Sequence, residues 1–421
     1  MVEDKKNISE KRKLALNIVE DEKNQKRPHC KHGPTLLLTK KIGSLEKRFL
    51  ACSAYRDNKC PILKEPVDTE KFALDRRKIR KNLVRILKAP KEGRGYCLTC
   101  AELFLDSDYH KHVRHDILTK ISMKHIRRPT LLLKASTEKD KEAQYFFSPK
   151  TIDYVVESLK QLNFDRLILI GCPSIHEKIQ CNKKALGMES VLLDIDQRYR
   201  QFYPRKQFVL FNMFNNFFFE GDEGQKKLDD FLEDSPPGRL CILIDPPFGG
   251  LIQAIGQTLD KFHKRWLKMH RAHWNRAFVR RKINSNSYEM GLMIFLPYFS
   301  EPKILSFIKG MKMTDYKVYY SNHSSYKKCT CKNKIGSAVR MFTNITPKLL
   351  KLPLDEGYKY CKPCQRYVSP ENNHCAKCNA CTSKDGRPSK HCDKCKKCFK
   401  DTWSHCDSCG VCGLPVNHQH S

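Results

Sequence analysis

A short motif at residues 245–248 combines groups that can act on an amino nitrogen. Asp245-Pro246-Pro247-Phe248 directly follows the apolar run Leu240–Ile244, which is typical of a buried strand. The Asp carboxylate and the first Pro carbonyl can both accept hydrogen bonds from an NH2 group, which draws its lone pair out of conjugation and orients it. Proline fixes φ, so its carbonyl is held in place before a substrate arrives. The aromatic ring offers a stacking face for a base swung out of its helix.

This arrangement resembles the active-site motif of enzymes that methylate an exocyclic amino nitrogen of adenine, cytosine or a glutamine amide. The resemblance makes Asp245, Pro246, Pro247 and Phe248 the candidate catalytic residues. It also implies a methyl donor, for which we expect S-adenosylmethionine. For the tetrapeptide alone, a plain strand-to-loop turn with two prolines is the alternative.

The motif lies in a region of alternating helices and strands that begins near residue 144. Such alternation implies a parallel sheet covered on both faces, in which ligands bind beyond the carboxyl ends of the strands. We therefore predict an α/β fold, a class I Rossmann-like methyltransferase sheet over 143–346, flanked by small zinc-stabilised domains. The predicted strands are 166–170, 190–193, 208–211, 240–244, 291–296, 316–320 and 338–343, and the predicted helices are 149–162, 197–203, 223–233 and a long basic helix at about 251–282.

Strand ends in this region supply candidate cofactor-binding residues. The turn Gly171-Cys172-Pro173 would let the backbone approach the donor, and Asp194 would accept hydrogen bonds from ribose hydroxyls, with Asp196 as second candidate. The alternatives are that Gly171 simply forms a turn after a strand and that Asp194 caps the following helix. The complete set of candidates also includes Asn212, Met213 and Phe214 after the third strand, Asp245 itself, and Gln144, Tyr145 and Phe147 from a segment that resembles the Gln-Tyr loop of several RNA adenine methyltransferases.

Net charge indicates a polyanionic partner. The chain of 421 residues carries a formal net charge of +33, which favours nucleic acid, although a basic scaffold protein would look similar. Nine Lys or Arg and no acid lie between Lys261 and Lys282, with Trp266 and Trp274 among them. We predict that this stretch contacts RNA phosphates beside the substrate entrance; a solvated helix face is the alternative. The absence of an 18-residue apolar run predicts no membrane span.

The 21 cysteines predict metal sites rather than disulfides, because we expect a reducing compartment. Residues 28–66 contain Cys30, His32, Cys52 and Cys60, and this set resembles the GRF-type zinc finger, which grips single-stranded nucleic acid. A second, C2H2-like finger is predicted over 94–118. Its ligands would be Cys97, Cys100, His112 and His115, with His110 as a competitor.

The C-terminal segment 347–421 repeats the pattern His-Cys-x2-Cys-x2-Cys three times, at 374–381, 391–398 and 405–412. It has little apolar material, so we predict that metal folds it. The first half resembles the cysteine-rich zinc domain of palmitoyltransferases. By that resemblance the sites interleave as Cys361, Cys364, His374 and Cys381; Cys375, Cys378, His391 and Cys398; and Cys392, Cys395, His405 and Cys412. Cys406 and Cys409 remain, and His418 or His420 can complete a fourth site. The chain would then carry about five to six zinc ions.

The remaining segments are a predicted disordered tail at 1–27, a basic helix within 67–93 and a linker at 119–142. The order of the predicted domains along the chain closely resembles that of the CCHC-type zinc-finger rRNA N6-adenosine methyltransferases over about 28–418. The motifs that carry this resemblance are Gln144-Tyr145, Leu193-Asp194-Ile195-Asp196, Asn212-Met213-Phe214-Asn215, Asp245-Pro246-Pro247-Phe248 and Cys381-Thr382-Ser383-Lys384-Asp385-Gly386.

This resemblance implies methylation of N6 of one adenosine in large-subunit, 28S-type rRNA. It also implies ribosomal RNA within a pre-60S particle as partner, and a location in the nucleus and nucleolus and also in the cytoplasm. We expect a monomer. Two rival interpretations remain from the residues: another nucleic-acid N6-adenine or protein glutamine methyltransferase, and a catalytically inactive zinc-finger scaffold that binds RNA.

Overall fold

The structure is a computed structural model that describes residues 16–19, 27–42, 44–54, 60–135, 144–270, 288–323 and 336–414. Its N-terminal part consists of small antiparallel sheets and one long helix. The helix begins at a side-chain cap, since Asp68 accepts a hydrogen bond from the backbone of Lys71. The elements are β1 (Leu16–Ile18), β2 (His29–Cys30), β3 (Gly33–Pro34), β4 (Leu36–Ile42), β5 (Leu45–Ala51), α1 (Thr69–Lys88), β6 (Arg94–Cys97), β7 (Glu102–Leu105), β8 (Ile117–Thr119) and α2 (Met123–Arg127).

The central domain alternates helices and strands, as predicted. Its elements are α3 (Pro149–Gln161), β9 (Arg166–Ile170), α4 (Pro173–Cys181), α5 (Lys183–Leu186), β10 (Glu189–Asp194), β11 (Phe208–Asn212), β12 (Phe217–Phe218), α6 (Gly221–Glu233), β13 (Leu240–Ile244), α7 (Ile252–Met269), β14 (Gly291–Pro297), α8 (Glu301–Phe307), β15 (Lys312–Lys317) and β16 (Val339–Thr343).

These strands form one eight-stranded sheet in the order β12-β11-β10-β9-β13-β14-β16-β15. The block β11-β10-β9-β13-β14 is parallel, and β16 runs antiparallel between β14 and β15. A hydrophobic core lies on each face of the sheet, and alternate residues of β9 pack into the two cores. Leu167 and Leu169 lie on one face, and Ile168 and Ile170 on the other. Both faces are therefore buried, which explains the nearly continuous apolar strands. The predicted mixed α/β, Rossmann-like fold is confirmed.

Buried ion pairs fasten the flanking parts to the sheet domain. Glu220, at the start of α6, lies within ion-pairing distance of Arg76 of α1, Arg200 and Lys227. At the other end, Asp315 of β15 accepts hydrogen bonds from Arg366 and Asn372, both at 2.7 Å. Because these carboxylates are buried and paired, removing either one would leave buried cations or donors without their partner.

The C-terminal part is a series of two-stranded hairpins. The strands pair in sequence order and are β17 (Lys359–Cys361), β18 (Arg366–Val368), β19 (His374–Cys375), β20 (Ala380–Cys381), β21 (Ser389–Cys392), β22 (Lys397–Lys400), β23 (Ser404–Cys406) and β24 (Val411–Gly413). Among the residues that the structure describes, no helix is long and apolar enough to cross a membrane.

Three element predictions were wrong in detail. The strand expected at 316–320 is β15, which ends at Lys317 because the chain leaves the sheet and Tyr320 bridges to Phe147. The helix expected at 197–203 is a 3-10 turn over Gln197–Gln201, capped by Asp196 rather than Asp194. The long basic helix is α7, which ends at Met269; the rest of that prediction, including Trp274, lies outside the described residues.

Candidate active site and metal clusters

The carboxyl ends of β9, β10, β11 and β13 surround a cavity of about 790 Å³. This volume lies in the range of small-molecule sites, about 300–1,000 Å³, and the position is the one at which parallel sheets bind ligands. The cavity therefore has the size and place expected for a methyl-donor site. The predicted residues that line it are Gln144, Tyr145, Gly171, Pro173, Asp194, Asp196, Asn212, Met213, Phe214, Asp245, Pro246, Pro247 and Phe248.

Gly171 allows the first turn to touch the catalytic motif. Its φ is +68°, and a Cβ built there would lie 2.8 Å from the backbone oxygen of Asp245. The amide of Asp245 in turn donates to the carbonyl of Ile170 at 3.0 Å. Only glycine fits this close approach without strain, so the single glycine of this turn couples the cofactor turn to the Asp-Pro-Pro-Phe loop.

Tyr320 is a functional candidate that the sequence did not indicate. Its hydroxyl donates to Oδ1 of Asp245 at 2.8 Å, and the side chain is 1% exposed. Desolvation raises the pKa of Asp245 well above its usual range, and the Tyr320 hydrogen bond opposes that rise. The hydroxyl therefore both orients the carboxylate and favours its ionised form.

Aromatic rings surround the motif on the cavity side. Phe248 stacks with Tyr145 at 5.8 Å between ring centroids, and His323 lies 4.4 Å from Tyr145. The side chain of Asn322 holds the segment that carries Tyr145, because its Oδ1 accepts from the amide of Phe146 and its Nδ2 donates to the carbonyl of Gln144. The arrangement supplies flat apolar surfaces beside Asp245 on which a base can stack.

The two acidic candidates at the end of β10 have different surroundings. Asp196 is engaged by the guanidinium of Arg198 and by the amide of Gln144, with contacts of 2.7–3.0 Å. Asp194 accepts the backbone amide of Asp196 at 2.9 Å and lines the cavity. Burial, and secondarily the charge of Asp196, raises the pKa of Asp194 to about 7. Asp194 is thus the better placed acceptor for ribose hydroxyls, while Asp196 holds the Gln-Tyr loop.

Three side chains that were predicted to contact the cofactor or RNA are buried instead. Phe147 is 3% exposed and packs against Phe295 and Tyr320, so it belongs to the core, and the cavity is lined by Phe146 instead. Cys172 is fully buried at the start of α4. Trp266, expected beside the RNA, is also fully buried and donates its indole N–H to Ser235 at 2.7 Å. Amphipathic α7 buries the face that carries this residue.

Five groups of four Cys and His side chains have ligand atoms within 4.8 Å of one another. Zn–S and Zn–N bonds of about 2.3 and 2.0 Å at tetrahedral angles place thiolate and imidazole ligand atoms about 3.5 Å apart. In the first group, Sγ of Cys52, Cys60 and Cys30 lie 3.2, 3.4 and 3.8 Å from Nδ1 of His32. The donor types and the spacing therefore fit a closed structural zinc site. The groups are Cys30, His32, Cys52 and Cys60; Cys97, Cys100, His112 and His115; Cys361, Cys364, His374 and Cys381; Cys375, Cys378, His391 and Cys398; and Cys392, Cys395, His405 and Cys412.

The C-terminal groups interleave along the chain. His391 and Cys392 are neighbours in β21 but belong to different groups. His391 lies 3.2 Å from Cys378 of the preceding group. Cys392 belongs to the next group, in which His405 lies 3.2 Å from Cys395. In the second finger His112 and His115, rather than His110, face the two cysteines. Cys406 and Cys409 lie at the hairpin of β23 and β24, and their proposed partners His418 and His420 lie outside the described residues.

Comparisons with known proteins agree with this site. A family described as "Probable N6-adenine methyltransferase" matches residues 138–345. The human rRNA N(6)-adenosine-methyltransferase ZCCHC4 is 37% identical over 381 residues, which cover 86% of this chain and 72% of that protein. The mouse protein of that name is 36% identical, covering 83% and 70%, and the Xenopus laevis protein 35%, covering 82% and 72%. This chain therefore belongs to the family of N6-adenine methyltransferases that includes these rRNA N(6)-adenosine-methyltransferases.

Proposed function

We propose that this protein methylates N6 of an adenosine in large-subunit ribosomal RNA, with S-adenosylmethionine as donor. One observation carries the proposal: Asp245, held by Tyr320, opens into the same cavity as Asp194 and the Gly171 turn. An amino-group acceptor after β13 and a ribose acceptor at the end of β10, with the Gly171 turn of β9 between them, suit a nucleobase and a nucleoside cofactor together.

The residues of the chain divide the work between binding and orientation. Asp194 would hold the ribose hydroxyls, and Gly171 would admit the rest of the donor beside Asp245. When bound, S-adenosylmethionine supplies an electrophilic methyl group. Asp245 and the Pro246 carbonyl would accept the two amino hydrogens of adenine, and Phe248 with Tyr145 would stack on its ring. A preorganised acceptor of this kind contributes about 10²–10³ in rate.

The metal groups and the charge complete the proposal. We assign one zinc to each of the five groups, and a sixth to Cys406 and Cys409 with His418 or His420. The net charge of +33 suits ribosomal RNA within a pre-60S particle as partner. We further propose action as a monomer in the nucleolus and nucleus, with a fraction in the cytoplasm.

The test is a methyl-transfer assay with labelled donor on ribosomal RNA, DNA and protein, combined with mapping of N6-methyladenosine in cells with and without the protein. We expect label in ribosomal RNA at a single adenosine, and a loss of about 10²–10³ in rate for Asp245→Ala with the zinc content unchanged. Label in DNA or a protein glutamine, or no transfer at all, would contradict the proposal. So would near-normal turnover by Asp245→Ala.

A further inference from the structure

The first metal group lies against the cofactor cavity. Besides the strand ends, the cavity is lined by Lys31, His32 and Ala54, which belong to the N-terminal zinc module. Among the described lining residues, His32 is the one member of any of the five metal groups. This module is therefore placed differently from the other four with respect to the methyl donor.

Direct hydrogen bonds join the module to the third strand end. The amide nitrogen of Asn212 donates to the carbonyl of His32 at 2.8 Å and to the hydroxyl of Ser53 at 2.9 Å. Its oxygen accepts the amide of Phe214 at 3.0 Å. All three hydrogen bonds are buried. The side chain of Asn212 therefore holds the 212–214 turn to His32, a member of the metal group, and to Ser53, which follows Cys52.

A second set of contacts keeps the module in the same position. Asn215 donates to the carbonyls of His32 and Pro34 at 3.0 and 2.9 Å. Gly33 has a φ of +93°, and a Cβ built there would lie 2.5 Å from the ring of Phe217. The main chain around His32 is thus packed directly on β11, β12 and the turn between them.

We propose that the metal of the Cys30, His32, Cys52 and Cys60 group is a structural part of the methyl-donor site and sets its affinity for S-adenosylmethionine. This rests on the proposed function, because it takes zinc as the occupant of the group and the donor as the occupant of the cavity. Zinc holds His32 and Cys52 together; the His32 carbonyl and Ser53 then orient Asn212 and the wall of the cavity. By linkage, the donor and this one metal stabilise each other's binding by the same factor.

The first experiment compares variants by calorimetry with S-adenosylhomocysteine and by metal analysis. Cys52→Ser should lose zinc and bind the ligand at least about tenfold more weakly, whereas Ser53→Ala should keep its zinc and bind about fivefold more weakly. Cys395→Ser is the matched control, because it removes a ligand from a group that does not line the cavity. It should lose zinc without a change in ligand affinity.

The second experiment measures the rate of zinc release. Release of zinc to a chromogenic chelator is followed in the full-length protein with and without S-adenosylhomocysteine. We expect the ligand to slow the release of one zinc, and this protected zinc to be missing in Cys52→Ser but present in Cys395→Ser. A folded, zinc-depleted Cys52→Ser with the wild-type affinity would overturn the inference, as would equal release of every zinc with and without ligand. If Cys52→Ser does not fold, Ser53→Ala and the release kinetics decide.

Failure of the proposed function gives a different result. In that case the wild-type protein binds no S-adenosylhomocysteine, or contains no zinc in metal analysis. If the wild-type protein binds both S-adenosylhomocysteine and zinc, but ligand affinity in the variants does not depend on zinc content, this inference alone is refuted.

Discussion

The hydroxyl of Tyr320 donates a 2.8 Å hydrogen bond to Oδ1 of Asp245, across 75 positions of sequence. The same ring stacks on Phe147 at 5.1 Å between centroids, and Phe147 packs on Phe295 of β14. The orientation of the motif's carboxylate is therefore tied to the sheet core through two aromatic layers. A loop residue positioned in this way loses little freedom when substrate binds.

Tyr320→Phe should lower the turnover number about tenfold, since a buried hydrogen bond to a carboxylate contributes about 1.5 kcal/mol. The variant keeps the ring and its stacking, so affinity for S-adenosylhomocysteine should not change. Because the hydroxyl lowers the pKa of Asp245, its removal should shift the acid limb of the pH–rate profile to higher pH. Tyr316→Phe is the control, since that ring stacks on Tyr154 instead. An unshifted profile would mean that Tyr320 serves the fold only.

Asp194 predicts a pH dependence of donor binding. Its pKa is raised to about 7, so the carboxyl is neutral below that pH and ionised above it. Ribose hydroxyls donate more strongly to the ionised form, and affinity for S-adenosylhomocysteine should therefore increase as pH rises through about 7. Calorimetry at roughly pH 6 and pH 8 measures this change.

Asp194→Asn is the matched variant for that measurement. It should bind more weakly at high pH and show a smaller pH dependence than the wild type. Titration of the ligand's own amino group is common to both proteins, so the difference isolates Asp194. The same pH dependence in both proteins would place the ribose contact elsewhere.

Interleaving predicts that one C-terminal cysteine supports more than one metal. Cys392→Ser removes a ligand from the group containing His405, and its neighbour His391 serves the preceding group. The variant should lose its own zinc and loosen the preceding one, seen as faster release to a chelator. Cys181→Ser, an exposed cysteine outside the five groups, is the control. Two or fewer zinc ions in the wild type, or loss of one zinc with no other change, would refute the interleaved assignment.

Helix α1 predicts a salt-dependent contact with RNA. Its exposed basic residues are Lys71, Arg77, Lys78, Arg80, Lys81, Arg85 and Lys88. Each phosphate contact contributes about 0.7–0.9 to the slope of log affinity against log salt, so replacing Lys78, Lys81 and Arg85 by Gln should reduce that slope by about 2–3. Lys226→Gln, whose lysine pairs with Asp230 at 2.9 Å, should change it little. A slope equal to the wild type would exclude α1 as a phosphate contact.

Local patterns in the sequence were sufficient to predict much of the fold. Apolar strands such as Arg166–Ile170 and Leu240–Ile244 appear at the predicted positions, because a strand buried on both faces needs an unbroken apolar run. The residues predicted at the ends of β9, β10 and β13, namely Gly171, Asp194 and Asp245, then lie at the cavity, because parallel strands present their carboxyl ends at one edge. Cysteine and histidine spacing, together with the resemblance to known zinc modules, likewise predicted the five groups that the structure brings together. In four of them a short hairpin presents a Cys-x2-Cys pair to one point.

Basic composition was a poorer guide to position. Trp266 lies among lysines and arginines in the sequence, and we expected it to face RNA; yet it is fully buried against the Ser235 turn. A helix of period 3.6 can bury an aromatic residue within a charged segment. Which stripe of α7 faces the core depends on what the sheet and α6 present to it.

The Asp-Pro-Pro-Phe motif and the strand ends could be read from the sequence, because each depends on a pattern of a few residues. The metal ligand sets span 18–30 positions, and their grouping was predicted from resemblance to known zinc modules. Three contacts became visible only in the folded protein: Tyr320 supports Asp245, Asp196 holds the Gln-Tyr loop, and the module around His32 forms part of the cofactor cavity. These contacts join segments separated by 52–180 positions. Their formation depends on how the whole sheet, its loops and the Cys/His modules pack together, and no local periodicity records that packing.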